Sequence, residues 1–445
     1  MKKKIIYLAV ILTLGSCNKW ITEEYNTDPN NPSDVSLANL LPAIQYSWAY
    51  VQGGDIGRYN GVFTQHFAGV DRQHAGIDIY TFTESDVSNS YETAYTEALQ
   101  DLYVMQQKAG DSPYYMGIAK TMTAMIMMQM TDLYGDLPYS ECFRGLDNMN
   151  PKFDSQESIY DAIFALLDDA QADFGTSEDD NLFVPGGDDI LYGGDMGAWL
   201  ALAYGLEARA HIHLGKVDAM HYTHALAAID AGAIADNGGN ATIAFGTGAT
   251  SQNPYAQFME QRGDISCGKF FIDTLVGMND PRIGLFAYDD EADDDDNTVT
   301  YSGSAPGEYN FGASFPGPYL FYTDYASYVP FMLASEVKFI EAEAALQTGD
   351  LARAASAHNA GVALSLGQFG ASDDAFITAY GSKTDADITL GDIMMQKYVA
   401  LYTHPETYTD VRRTGLPALA PASGSSSIPM RWPYPQNERI TNSNF

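Results

Sequence analysis

The chain has 445 residues, with 23 basic against 58 acidic side chains and a formal net charge of −35. A surface this negative repels phosphate backbones and anionic lipid headgroups, which excludes nucleic-acid binding and electrostatic docking to a membrane. With 46% hydrophobic and 18% charged residues, the chain is too apolar for disorder and long enough to bury a large core.

At the amino end, Lys2, Lys3 and Lys4 precede ten nearly uninterrupted apolar residues, Ile5 to Leu14. Ten helical residues rise about 15 Å, half of a hydrocarbon core about 30 Å thick, so residues 1–16 read as a signal peptide rather than a membrane span. The run Leu14-Gly15-Ser16-Cys17 resembles a bacterial lipobox, in which cleavage leaves Cys17 as the lipidated first residue. Each buried CH₂ contributes about 0.8 kcal/mol, so several acyl chains anchor stably and the membrane is met only through this lipid. Residues 17–32, polar and rich in Asn, Asp and Pro, read as a flexible tether, and residues 33–445 as a single domain.

Helical periodicity then dominates. Ser85 to Gln107 reads as one helix and Met116 to Tyr134 as a second, with Met, Ala and Leu crowded onto a broad apolar face. Trp48 is expected to pack on a helix. Ser155 is placed to open a third helix, with Ile159, Ile163, Leu166, Leu167 and Ala170 at helical spacing and Gly175 at its end. Two later stretches share a grammar: Ala208, Ala210 and Gly215 match Ala342, Ala344 and Gly349 at a constant offset. Each predicts a helix with small residues near its end, a Gly turn at positive φ, then a second helix packed closely on the first. That is tetratricopeptide-like, without a kept 34-residue period. The expected fold class is all-α dominated, a scaffold of helical hairpins carrying long irregular insertions. Residues 51–83 and 287–330, rich in Gly, Tyr, Phe and Asp, and 417–445, with five prolines, are the expected insertions.

Catalytic and metal chemistry finds little support. The acidic run Asp289 to Asp296 fails the calcium-loop pattern, since from Asp293 the sixth and twelfth positions hold Thr298 and Ser304 instead of Gly and Glu. His211, His213, His221 and His224 cluster in sequence, but on a helix His211 and His213 lie about 200° apart and cannot share an ion. No HExxH, GxSxG or P-loop is present, so neither a metal, a cofactor nor a catalytic residue is expected. Cys142 and Cys267 lack zinc or CxxC spacing; one disulfide stays open, and two isolated buried thiols are the simpler expectation.

Five stretches carry a family resemblance: Asp132 to Glu141 (DLYGDLPYSE), Asn279-Asp280-Pro281-Arg282, Glu336 to Asp350, Gln396 to Pro417, and Arg431 to Asn442. Together they resemble the SusD/RagB nutrient-binding surface lipoproteins of Bacteroidota, in the SusD-like second subgroup. The resemblance implies four tetratricopeptide-like helix pairs, an outer-membrane lipid anchor facing the cell exterior, no catalytic activity, and a SusC-like TonB-dependent barrel as partner. The ligand it implies is an oligosaccharide, with a peptide as the alternative and surface glycoside hydrolysis as the rival from another class. Glu23 and Glu24 look like the acidic export signal of such lipoproteins.

A sugar ring offers an apolar C–H face and a hydroxyl edge, so its site needs exposed aromatic platforms rimmed by polar side chains. Two insertions offer both. The first contributes Gln65, His66, Arg72, Gln73 and Tyr80, with Phe82 beyond. The second contributes Tyr309, Asn310, Phe315, Tyr319 and Tyr322, among Tyr301, Phe311 and Phe321. The net negative charge makes a neutral glycan the expected ligand.

Overall fold

The structure, a computed structural model, describes residues 35–288, 300–317 and 325–445. Four helical hairpins follow one another along the chain: Pro113–Tyr134 with Gln156–Phe174, Met196–Leu214 with Met220–Gly232, Ala334–Thr348 with Leu351–Gln368, and Leu390–Ala400 with Glu406–Thr414. Each packs on the next in a solenoid-like succession. The helix Leu37–Val51 lies against Ala94–Leu99 and Gln100–Lys108 at the amino end. This is the all-α hairpin scaffold expected. Strands are short antiparallel pairs that staple insertions to it: Phe67–Gly69 with Ile265–Cys267, Leu137–Pro138 with Phe153–Asp154, Ala241–Ala244 with Tyr328–Met332, and Ala287–Tyr288 with Phe315–Pro316. No helix among the described residues is long and apolar enough to cross a membrane.

Local chemistry sets most helix ends. Ser155 accepts from the Ser158 amide at 3.2 Å, which opens Gln156–Phe174 where expected, and Gly175 closes it. The helix expected from Met116 begins earlier, at Pro113, because a proline in the first turn gives up an N–H that has no helical partner there. The stretch expected as one helix from Ser85 starts at Ser88, widens into a π turn over Ala94–Leu99 and ends at Lys108.

The two matched hairpins end differently. Gly349 turns at φ +87°, and Asp350 caps the following helix by accepting from the Arg353 amide at 3.0 Å. Gly215 instead keeps a right-handed φ of −57°, which corrects the expected positive φ. Its requirement is space: a Cβ there would stand 2.4 Å from the Tyr222 ring. Gly215→Ala is therefore expected to destabilise by about 1–3 kcal/mol through overpacking, read as a lower urea midpoint with unchanged slope. An equal or higher midpoint would mean the ring moves aside without cost.

The segment 51–83 is not the irregular loop its glycines imply. It folds as a π turn over Gln52–Ile56 followed by Gly57–Phe63 and Arg72–Asp78, and apart from Asp55 residues 51–70 are buried. Two of its glycines serve close approach: a Cβ on Gly57 would meet the Tyr255 hydroxyl at 1.8 Å, and one on Gly61 the Phe67 ring at 2.4 Å. Trp48 is fully buried, as expected of a packing residue. Cys142 is half-buried and Cys267 buried, and both are free thiols. The acidic run lies outside the described residues apart from its neighbour Tyr288.

Several of the resembling motifs meet in a buried polar network. Asp132 accepts from Tyr160 Oη at 2.6 Å and faces His213 Nδ1 at 3.1 Å, while His213 Nε2 meets Glu406 at 2.6 Å. Arg413 pairs with Glu343 and Asp410, Lys397 joins Asp410 at 2.7 Å, and Asp280 holds Arg282 in a fully buried pair at 2.6 Å. Burial would lower the His213 pKa, but the Glu406 and Asp132 carboxylates outweigh it and raise it to about 9. A histidine raised on folding stabilises fully below about 6.5, and that stabilisation is lost as pH rises through about 9. The melting temperature is thus expected to fall between pH 6.5 and 9. His213→Gln should flatten that slope, and a wild-type profile level across the window would contradict the assignment.

Candidate functional site

The two nominated insertions come together at one carboxylate. The Phe67–Gly69 strand, paired in register with Ile265–Cys267, delivers the chain to Asp71, whose side chain accepts from the Arg72 amide at 2.8 Å and starts the short helix Arg72–Asp78. At the far end of that helix Asp78 is buried; its Oδ1 accepts from the Gly69 amide at 3.1 Å and its Oδ2 from the Gly307 amide at 2.6 Å. Burial pushes the Asp78 pKa up to about 6, with the Gly307 and Gly69 donors pulling it back. The second insertion is further tied to the strand by Ser304 N to Cys267 O at 3.0 Å and Cys267 N to Ser314 O at 2.8 Å. Asp78 thus clasps segments 229 residues apart.

Positions within this junction differ sharply. Gln65 and His66 are buried, which corrects their expected place on the surface. Gln65 Nε2 donates to Ala420 O at 2.6 Å, and the His66 ring stacks on Tyr398 at 4.2 Å with Nε2 at 3.0 Å from Tyr398 O. Burial drives the His66 pKa down to about 3, so it sits in the core as a neutral ring. Phe315 is half-buried in its strand pair with Tyr288. Arg72 is exposed, with Nη1 donating to Asp264 at 2.6 Å and Arg262 O at 2.8 Å. Gln73, also exposed, donates to Asp86 at 2.8 Å and to Tyr59 Oη at 3.1 Å. Asn310 is half-buried and accepts from the Gly312 amide at 3.0 Å, beside Phe311, which is 67% exposed. Tyr309 is half-buried. Tyr319, Phe321 and Tyr322 lie outside the described residues.

Backbone strain concentrates here. Of seven non-glycine residues at positive φ among the described residues, four are Gln65, Arg72, Tyr80 and Tyr309, at 59°, 47°, 67° and 55°. Such conformations cost of order 1 kcal/mol or more each and persist where surrounding structure holds them, often at ligand sites.

Tyr80 leads into a groove of about 720 Å³ lined by Tyr80, Phe82 and residues 424–433. The Tyr80 hydroxyl accepts from the Ala422 amide at 3.1 Å and its ring meets Phe63 edge-on at 6.1 Å. Behind the groove, Phe82 packs on the fully buried Trp432 at 5.1 Å, and Trp432 Nε1 donates to Asn60 at 3.1 Å. The far lip, Ser425-Ser426-Ser427 with exposed Met430 and Arg431, contains no residue nominated from sequence. Its signal is the proline-rich, Gly/Ser-rich composition of 417–445, which marks an insertion without saying which atoms face a ligand.

Among the described residues, two groups of side chains converge closely enough to hold a metal: Asp132, His213 and Glu406 in the buried network, and His211, His221 and His224. The first is occupied by its own ion pairs and by Tyr160. Helical spacing does separate His211 from His213, but the hairpin turn brings His211 to His221 and His224, which spacing along one helix could not reveal.

Comparison with known proteins agrees with this architecture. Solved structures of similar fold include a chitin-binding protein (23% identity, 92% of this chain and 94% of that one, TM-score 0.77). They also include a SusD/RagB family protein from Bacteroides thetaiotaomicron VPI-5482 (23%, 92% and 95%, 0.76). A third is a chitin-binding SusD homolog from Flavobacterium johnsoniae (22%, 92% and 92%, 0.76). No curated protein matches at the level of sequence. The family profile described as "Starch-binding associating with outer membrane" matches residues 29–435, nearly the whole chain, and on that match the chain belongs to the SusD-like family.

Proposed function

We propose that the chain is a cell-surface lipoprotein, anchored through Cys17, that captures neutral oligosaccharides and delivers them to a SusC-like TonB-dependent barrel. The carrying observation is the junction at Asp78, where two aromatic insertions are clasped beside a groove opening at Tyr80. The Tyr80 ring, held at a strained backbone position in a groove with a polar serine-rich lip, matches the two-sided chemistry of a sugar. Family membership and chitin-binding proteins of the same fold support a glycan as ligand. The net charge of −35 favours a neutral one. Among the described residues the groove lining includes no Asp or Glu, and so offers no carboxylate pair for hydrolysis. Of the nominated residues within the described segments, Arg72, Gln73, Tyr80, Tyr309 and Asn310 are the proposed contacts, together with Phe311.

Isothermal titration of the purified chain against chitooligosaccharides, α-glucans, β-glucans and mannans tests the reading. Saturable binding to at least one glycan without release of reducing ends is expected. Silence across the panel with binding to peptides would replace the glycan by a peptide, and sustained turnover would make the chain an enzyme.

A further inference from the structure

We propose that His211, His221 and His224 form a binding site for one borderline divalent transition-metal ion of the Zn²⁺, Ni²⁺ or Cu²⁺ class, away from the glycan junction. His211 lies in the last turn of Met196–Leu214, and His221 and His224 lie three residues apart on one face of Met220–Gly232. The connecting turn folds the two helices into a hairpin, so that His211 Nδ1 and His221 Nδ1 stand 2.8 Å apart and ligand atoms of all three rings fall within 4.8 Å of one another. Two facing imidazole nitrogens share at most one proton between them, and a cation takes both lone pairs. Three nitrogens at about 2.0–2.1 Å from Zn²⁺ lie about 3.3 Å from one another in tetrahedral geometry, within reach of modest ring rotations here.

The surroundings orient the rings as ligands. His211 Nε2 faces Glu207 Oε1 at 3.8 Å, and Glu207 Oε2 accepts from Gln171 Nε2 at 2.7 Å. A carboxylate behind Nε2 favours the tautomer with the proton there and the lone pair on Nδ1, and a slightly closer approach would complete the hydrogen bond that usually supports a metal-bound histidine. Phe164 stacks on His211 at 4.4 Å and lies parallel to His221 at 6.0 Å, which restricts both rings to small rotations about their present planes. His211 is buried, His221 half-buried and His224 exposed, so an ion enters from solvent and meets a prearranged pair before the third ring closes. Imidazoles without thiolates select zinc, nickel or copper over calcium and magnesium. With three protein ligands, a fourth position stays open to water or an external group.

The test is titration of the chelator-stripped full chain with Zn²⁺, with Ca²⁺ in excess to fill acidic surface sites, and Cu²⁺ electron paramagnetic resonance in parallel. One equivalent is expected, with hyperfine splitting from three imidazole nitrogens, and the exposed variant His224→Ala should weaken binding at least tenfold while its circular dichroism stays that of the wild type. His221→Ala should do the same. The proposal is overturned if no stoichiometric ion binds, or if both variants bind as tightly as the wild type. Glycan titrations are expected to be unchanged in both variants, so failure here and failure of the glycan reading are separable.

Discussion

Tyr80→Ala is expected to weaken oligosaccharide binding by roughly 30-fold, the factor that corresponds to the ~2 kcal/mol of a typical anchor residue. The ring is prepared before any ligand arrives: φ is +67°, its hydroxyl is engaged by the Ala422 amide at 3.1 Å, and its edge rests on Phe63. Binding therefore spends little side-chain entropy, so most of the contact energy is retained. Phe311→Ala should act similarly, since that residue is 67% exposed and its truncation leaves no core cavity. Tyr80→Phe keeps the platform and should retain affinity within a few-fold. Titration calorimetry with the best glycan of the panel reads all three, alongside melting curves that verify folding. Undiminished affinity in both alanine variants would move the site elsewhere.

Glu336→Ala is expected to be the most destabilising of the substitutions considered, at about 3–5 kcal/mol, because it strands a buried guanidinium. Arg209 donates through Nε and Nη2 to the two Glu336 oxygens, both at 2.7 Å, and through Nη2 to Phe331 O at 2.8 Å. Without Glu336 its nearest remaining carboxylate is Glu406, at 3.9 Å. Urea unfolding should show the loss. The double variant Arg209→Met, Glu336→Ala should recover much of it, because replacing both charges removes the desolvation penalty that a single deletion exposes. By contrast, removing Lys152, which sits 3.6 Å from Asp154 on the surface, should cost less than about 1 kcal/mol. If the single and double variants were equally unstable, packing rather than charge would account for the loss.

The resembling motifs mark these same interior contacts. Glu336 opens one motif, Asp132 another, and Arg413 closes the buried pairs of a third. Most of these motifs therefore lie in the frame, where buried pairs constrain residue type, and one of them, Arg431 to Asn442, also reaches the groove at Arg431 and Trp432.

What the amino-acid order alone determined is the run of helical hairpins, since a Ser155 cap, a Pro113 start and a Gly349 turn act within a few residues of themselves. Tertiary structure decided which aromatic and polar residues of the insertions face outward. His66 is withdrawn by Tyr398, Gln65 by Ala420, and Gly57 and Gly61 are packed against Tyr255 and Phe67, while Asp78 finds Gly307 and His211 finds His221 across a turn. Burial depends on partners brought together by the whole fold, often hundreds of positions apart, and hydrophobic periodicity carries no record of them.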